Sequence, residues 1–473
     1  MKHKPIALSL GLGLLASLSI TAQANPFVLE DYYDPFKTKK ALSAEHVPGY
    51  FNDIECGVPL SLPSLTLAAA VNAALCRDPR IQQAWSKAQA VRAQGGVVQS
   101  EYLPNVNARV GLDRTEQSID GVPSEFTDQN SQSFRLSLDW LVFDFGRKQR
   151  QQALNNAQLQ QAKVELEDVS QAVIFETTIQ FFELLQAQAV MAARVEAERL
   201  AQSSVDIVEQ RLAGGAVNAA DLIQVQSNLA RAKLELRQQA SDVQRKQASL
   251  NQSIGGFLGQ TLTLVEPMSK RGSAGQRYPD LVRSAQMSHP KLLSALARLD
   301  HAREQLGLAQ TAYYPSLVAT AEYMHEFDDD KHFRGRRADN STQYGIQLQM
   351  PIFTGFRNHY QTQRATSELA LVQAEVAQVR DEVSVKLWQA FQAWQDSEDL
   401  VALSDQLFQR AEQSELINRQ RYIEGVGTIF DWINAQENLE QARMARAQSY
   451  NQLNTSRIDL ARASGMLSIW TLE

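Results

Sequence analysis

Residues 102–113 read Tyr-Leu-Pro-Asn-Val-Asn-Ala-Arg-Val-Gly-Leu-Asp, and residues 313–324 read Tyr-Tyr-Pro-Ser-Leu-Val-Ala-Thr-Ala-Glu-Tyr-Met. In the first, Val106, Ala108, Val110 and Leu112 alternate with Asn107, Arg109 and Gly111; in the second, Leu317, Ala319, Ala321 and Tyr323 take the alternate positions. Period-two alternation places apolar side chains on one face of a strand and polar ones on the other. A second strand follows each. Phe134, Leu136, Leu138, Trp140 and Val142 alternate with Arg135, Ser137, Asp139 and Leu141, and Tyr344, Ile346, Leu348 and Met350 with Gln343, Gly345, Gln347 and Gln349. Pro104 and Pro315 mark helix-to-strand transitions, because proline disfavours helical backbone before it and starts a strand without supplying a donor. Pro351 would be costly inside a ladder, so regular pairing is expected to stop near Met350.

In a soluble protein the apolar face of such strands would pack on helices. Here the polar face carries Gln, Asn, Arg and Asp, and each strand is about as long as a tilted membrane strand needs. Tyr102, Phe143, Tyr313 and Phe353 sit near the strand ends. These are the marks of a lipid-facing barrel wall around a wet interior. Four strands cannot close it, since about eight are needed to enclose even a packed interior. Several chains must therefore share one barrel. The strands of each pair are expected to be joined by polar loops, Thr115 to Gln132 and Phe327 to Thr342, facing out of the cell. Asp328-Asp329-Asp330 lacks the spacing of a calcium loop and reads as a solvated loop.

Working outward from the strands, the chain proves to be two repeats, 65–265 and 278–466. Pro79 and Pro104 recur as Pro290 and Pro315, displaced by 211; Phe143, Arg147, Arg211, Gly215, Asp221, Gln226, Leu229 and Ala232 recur as Phe353, Arg357, Arg421, Gly425, Asp431, Gln436, Leu439 and Ala442, displaced by 210. A period this long argues for duplication of a half-protein rather than for a solenoid unit. From Arg147 to about Leu212 and from Arg357 to Ile423 there is no proline, so each stretch predicts a continuous helix of about 100 Å. The shorter segments Leu65 to Leu103 with Val217 to Ile254, and Leu281 to Tyr313 with Ile429 to Met466, are expected to stack end to end alongside. Leu222, Val225, Leu229, Ala232 and Leu236 step by three and four, as do Trp432, Ala435, Leu439 and Ala442, the spacing of coiled-coil packing. Gly146 and Gly355 give the backbone freedom to turn from strand into helix.

Residues 1–24 read as a secretory signal: Lys2 and Lys4, an apolar run from Ile6 to Ile20, then Ala22-Gln23-Ala24. No later stretch reaches about 18 consecutive apolar residues. Without Lys2 and Lys4 the chain carries 44 basic and 53 acidic residues, a net charge of −9, which disfavours a nucleic-acid partner. Residues 25–64 are expected to form an irregular periplasmic segment. The two cysteines, Cys56 and Cys76, either form a disulfide in an oxidising compartment or remain two buried thiols. Gly11-x-Gly13 lies in the signal, and the seven His fall outside metal-binding spacings. No catalytic constellation, cofactor or metal site is indicated.

Taken together, the paired strands after Tyr-Leu-Pro and Tyr-Tyr-Pro, the Phe143-x-x-Gly146-Arg147 and Phe353-x-Gly355-x-Arg357 exits, and the tip Tyr422-x-x-Gly425-x-x-Thr428-Ile429-x-Asp431 resemble the TolC family of outer-membrane export channels. The resemblance implies a homotrimer, with a twelve-stranded outer-membrane barrel in contact with lipid and continuous with an α-helical periplasmic tunnel. It further implies a periplasmic adaptor protein and an inner-membrane ABC exporter or proton-driven pump as partners. The family closes its entrance near the helix tips with acidic residues. By that likeness Asp431 and its repeat counterpart Asp221 are gate candidates, with Tyr422, Gly425, Gly427 and Asn434 beside them. Gly427 stands where the family carries a latch arginine, and Asn434 replaces a second aspartate. Asn218-x-x-Asp221 and Thr428-x-x-Asp431 also fit helix N-caps. Leu75-Cys76-x-x-Pro79 followed by Trp85 resembles the branch that serves type I protein secretion. Multidrug or metal efflux is the alternative within the family, and a periplasmic coiled-coil adaptor the alternative outside it.

Overall fold

The computed structural model describes residues 65–116, 128–265, 277–329 and 337–467. The signal, the segment 25–64 with Cys56 and the turn 270–276 lie outside these residues.

The described residues begin with α1 (Leu67–Arg77) and α2 (Pro79–Ser100), where a single helical segment was expected. Pro79 explains the break. It cannot continue α1 but suits the first position of α2. Asp78 sits extended between them, and its carboxylate accepts from the Arg80 N–H at 2.8 Å. Strands β1 (Asn105–Glu116) and β2 (Asp128–Phe143) follow, then the long α3 (Arg147–Ala213) and its return helix α4 (Ala219–Ile254). The second repeat copies this order: α5 (Tyr278–Ser288), α6 (Pro290–Thr311), β3 (Ser316–Asp329), β4 (Arg337–Gln349), α7 (Arg357–Ile423) and α8 (Ile429–Ala463). His289 takes the part of Asp78, its Nδ1 accepting from the Lys291 N–H at 3.2 Å before Pro290.

The four strands form one antiparallel sheet in the order β1-β2-β3-β4. Val106 pairs with Leu138 in the first hairpin and Leu317 with Leu348 in the second, so the offset of 211 and 210 carries one register onto the other. β4 ends at Gln349, as Pro351 requires. The strands outrun the expected loops, with β1 reaching Glu116 and β3 reaching Asp329. Backbone pairing needs no apolar side chain, so the hairpins continue past the apolar band. The exits to the long helices also differ from expectation. One glycine was to make each turn, yet each turn takes two successive left-handed residues: Phe145 (φ 53°) with Gly146 (φ 95°), and Gly355 (φ 61°) with Phe356 (φ 62°). A non-glycine residue there costs about 1–2 kcal/mol. Ring contacts offset it: Phe145 lies 4.7 Å from Phe143, and Phe356 lies 5.6 Å from Phe353.

α3 and α7 each run 67 residues, about 100 Å. α1, α2 and α4 lie along α3, α5, α6 and α8 lie along α7, and α3 also packs on α6 and α8, which joins the halves. The core is therefore a series of clusters rather than one. The largest gathers Ile174, Phe181 and Leu184 of α3 with Val71 of α1 and Leu250 of α4. Elsewhere small residues let helices approach closely. Ser397 and Ser404 of α7 hydrogen-bond to Ser456 and Ser449 of α8 at 2.8 and 2.6 Å. Ala442 of α8 is fully buried against Ala411 and Phe408 of α7 and Leu200 of α3. Ala442→Leu should therefore lower stability by about 1–3 kcal/mol, read as an earlier thermal loss of helical circular dichroism; an unchanged midpoint would show that the helices have room to spare. Cys76 is half-buried near the end of α1. Its pairing with Cys56 is checked by peptide mapping without reductant, where the expected product joins the two cysteine peptides.

Candidate functional site

The sequence candidates meet at one end of the molecule, where α3 turns into α4 and α7 into α8. The two turns are built alike. Gly215 N–H donates to the Leu212 carbonyl and Ala216 N–H to that of Arg211; Gly425 N–H donates to Tyr422 and Val426 N–H to Arg421, all at 2.9–3.1 Å. Gly215 (φ 71°) and Gly425 (φ 78°) occupy the left-handed position that closes such a helix end. Gly427 has a separate reason. A Cβ there would stand 3.1 Å from Arg421 Cβ and 3.2 Å from the Tyr422 nitrogen, so a side chain would require the end of α7 to give by a few tenths of an ångström.

The return helices start differently. At α4, Asn218 accepts from the Asp221 N–H at 3.0 Å. At α8 a complete capping box forms: Thr428 Oγ1 accepts from the Asp431 N–H at 3.1 Å, and Asp431 Oδ2 accepts from the Thr428 N–H at 3.3 Å. The Thr428 hydroxyl also donates to Asp431 Oδ2 at 2.7 Å. These bonds, the hydroxyl first, hold the Asp431 carboxyl below the usual range. Asp431 and Asn434 are exposed, and Asp221 is half-buried.

Tyr422 is buried in a tip cluster with Val205 and Val208 of α3, Val225 of α4, and Ile429, Trp432 and Ile433 of α8. Its ring lies 5.4 Å from that of Trp432, whose Nε1–H donates to the buried Glu415 carboxylate at 3.1 Å. Burial pushes the Tyr422 hydroxyl pKa up; the charge of Asp221 adds to this and Arg211 opposes it. Arg211, at the end of α3, crosses to the other hairpin. Its guanidinium lies 5.0 Å from the Tyr422 ring centre and donates to the carbonyls of Tyr422 and Ile423, the latter at 3.0 Å. A cation on these last carbonyls satisfies free acceptors of α7 and suits its dipole.

Further along the hairpins, Arg194 of α3 pairs with Glu235 of α4 at 2.6 Å and with Glu440 of α8. Burial raises the Glu440 carboxyl, against the pull of Arg194. Arg231 of α4 pairs with Glu437 of α8 at 2.6 Å. Charged bridges and the Arg211 cap thus fasten one hairpin to the other. Arg211, Trp432 and Glu415 were missed as site residues by sequence reasoning. The retention of arginine at both 211 and 421 was the available signal for the first.

Residues 70–256 and 281–466 match the family model described as outer membrane efflux protein. Among curated proteins, the chain is 24% identical over 414 residues to Protein CyaE of Bordetella pertussis, covering 87% of this chain and 86% of that one. It is 21% identical over 376 residues to the outer membrane efflux protein BepC of Brucella suis, covering 79% of each. Among solved structures it matches the open-state MtrE outer membrane channel of Neisseria gonorrhoeae, with a TM-score of 0.72, 15% identity, and coverage of 84% of this chain and 88% of that one. CusC gives a TM-score of 0.74 at 16% identity, with coverage of 84% and 92%.

Thr428→Ala removes the hydroxyl that accepts from the Asp431 N–H and donates to Asp431 Oδ2, while the backbone N–H of residue 428 can still reach that carboxylate, and should cost about 1 kcal/mol, read by thermal unfolding. For Asp431 the folded carboxyl pKa is depressed. Its contribution is present above the unfolded value of about 3.9 and is lost as pH falls through the folded one. Asp431→Asn should therefore melt earlier than the parent at neutral pH and together with it in strong acid; equal midpoints at neutral pH would contradict the capping geometry.

Proposed function

The chain belongs to the outer membrane efflux protein family, and from that premise we propose that it is the outer-membrane conduit for type I protein secretion. The chain is a non-enzymatic outer-membrane channel of the tripartite kind, a trimer whose barrel sits in the outer membrane and whose helical tunnel stands in the periplasm. Such channels work with periplasmic adaptors and inner-membrane pumps. A periplasmic adaptor, the alternative outside the family, would have no use for the four strands.

The observation that carries the secretion reading is the segment Leu75-Cys76-x-x-Pro79 with Trp85. It forms the break between α1 and α2, where Leu75 is buried and Trp85 packs on the main core. The similarity to Protein CyaE over most of the chain supports it. The second reading, an efflux pump, is favoured by likeness to BepC and to the toluene efflux pump outer membrane protein TtgF of Pseudomonas putida, 23% identical over 448 residues. Energy would come in either case from an ABC exporter or a proton-driven pump. Disrupting the gene decides between them. Loss of a large secreted protein with unchanged drug and solvent sensitivity is expected; raised sensitivity with an intact secretome would favour efflux.

The tips serve, on this reading, as the gate of the periplasmic end. What supports it is the fastening of the two hairpins by Arg211 and by the Arg194–Glu440 and Arg231–Glu437 bridges, beside an exposed Asp431 and a half-buried Asp221. Loosening these contacts would let the hairpins part. Asp431→Ala and Asp221→Ala are each expected to raise ion leakage through single channels in planar bilayers. Unchanged conductance in both, with trimers intact, would leave these aspartates a capping role alone.

A further inference from the structure

Phe182, Leu185, Ala189, Ala192 and Glu196 step by three and four along α3, and Arg443, Ala447, Tyr450 and Asn454 do the same along α8. Each set therefore shares one helix face. Between these two faces lies a cleft of about 610 Å³, which Phe408 of α7 also lines. Its apolar wall is built from large and small side chains together. Phe182 belongs to the main core and Leu185 packs against it, whereas Ala189 and Ala192 are exposed at the cleft. Leucines at these positions would fill the seam as in a coiled coil; the alanines leave it open. A mostly apolar cleft of this volume, with a few polar groups at its edge, has the make-up of a small-molecule site.

The polar groups at the cleft differ in what already holds them. Arg446 lies 5.1 Å from the Phe408 ring centre and 5.7 Å from that of Tyr450, and it donates to Asp405 at 2.7 Å. The Tyr450 hydroxyl donates to the same carboxylate at 3.1 Å. Glu196 is paired with Arg199 at 2.6 Å. Arg443 is left over. It is half-buried and makes no hydrogen bond or ion pair among the described residues, although its field reaches Glu196. Asn451, also on the wall, has a side-chain oxygen shut off from solvent without a hydrogen-bond partner. An amide without a partner can turn either its oxygen or its NH₂ toward a ligand.

The duplicated half does not repeat this surface. At the offset of 210, Phe182, Leu185, Gln186 and Ala189 of α3 correspond to Gln392, Gln395, Asp396 and Asp399 of α7. A long helix of this protein thus stands without such an apolar stripe, and the cleft is a property of the first repeat alone. We propose that it binds a small amphipathic anion, an organic carboxylate or sulfonate, whose apolar body lies against Phe182, Leu185 and the alanines while its acid group bonds Arg443. The charge of the wall agrees with an anion, since Glu196 is met by Arg199 and Asp405 by Arg446, which leaves one guanidinium in excess. Such a ligand joins α3 to α8 beside the Arg194–Glu440 bridge. It adds a link between the two hairpins and stabilises their fastened state by its own binding.

Anilinonaphthalene sulfonate, an apolar anion that fluoresces when desolvated, is the probe for this site in full-length trimers held in amphipol. Its titration should show a saturable component of about one probe per chain. Arg443→Gln should weaken that component about tenfold, the effect of losing one charged contact. Ala189→Phe should abolish it by filling the cleft, and because Ala189 is exposed the ring need not disturb the core; Ala192→Phe serves if the first variant fails to assemble. Phenylnaphthylamine, which has the same rings without the sulfonate, should bind the parent and Arg443→Gln equally and more weakly than the anion binds the parent. A signal that never saturates, or that survives both filling variants in intact trimers, overturns the site. Equal affinity for the charged and uncharged probes overturns the class of ligand. No cargo enters the experiment, so a failed secretion assay leaves these outcomes unchanged.

Discussion

Backbone hydrogen bonding in a medium without water is the constraint from which the rest of this molecule follows. A sheet of four strands presents two open edges, and hydrocarbon offers nothing to pair with them. The chain can enter the membrane only as a fraction of a closed barrel. That requirement makes the trimer the folding unit of the membrane part, and it leaves apolar residues such as Val110, Leu112, Ile346 and Leu348 uncovered in the isolated protomer. Their exposure marks lipid and neighbour contact, not an aggregation fault.

Below the membrane the problem is different, since water surrounds the helices and fills the tunnel. A helix of 67 residues cannot be supported by one compact core. The protein answers with a row of small clusters, close alanine and serine contacts, and charged bridges at intervals along the length. Packing is thereby spread thinly, and the tip is fastened by few interactions. An apolar plug of Tyr422 and Trp432, one arginine cap and a capping box hold it. Few fastenings suit a closure that partners must be able to release.

Much of this was legible in the sequence, for a physical reason. Strand alternation and the proline-free stretches are local periodicities, so the four strands and both long helices could be read directly. The helix breaks at Asp78 and His289 were not, although Pro79 and Pro290 were in view, because helical periodicity resumes at once on the far side. The left-handed Phe145 and Phe356 were also hidden: nothing in the residue type favours that backbone in phenylalanine, and what supports it is ring contact, with Phe143 and Phe353 close in sequence and, for Phe145, with Tyr314 of the other repeat. At the tip, the glycines and the acidic capping positions could be read from spacing. The repeat marked Arg211 as a position, but its role could not be read, since its acceptors lie 211 and 212 residues away. Gly427 marked a departure from a family pattern in the sequence; the fold adds that its backbone lies close against Arg421 and Tyr422.

The equal length of α3 and α7 has its own consequence for how this chain can change. A single residue inserted into one of them would advance everything beyond it by about 1.5 Å and turn it by about 100°. The tip of that hairpin would then face away from its neighbours, while the other hairpin stayed in phase. Loops and termini tolerate length change residue by residue, but these two helices behave as a matched pair of rulers. The depth of periplasm that the channel spans can therefore shift only in whole helical repeats, made in both halves of the gene together.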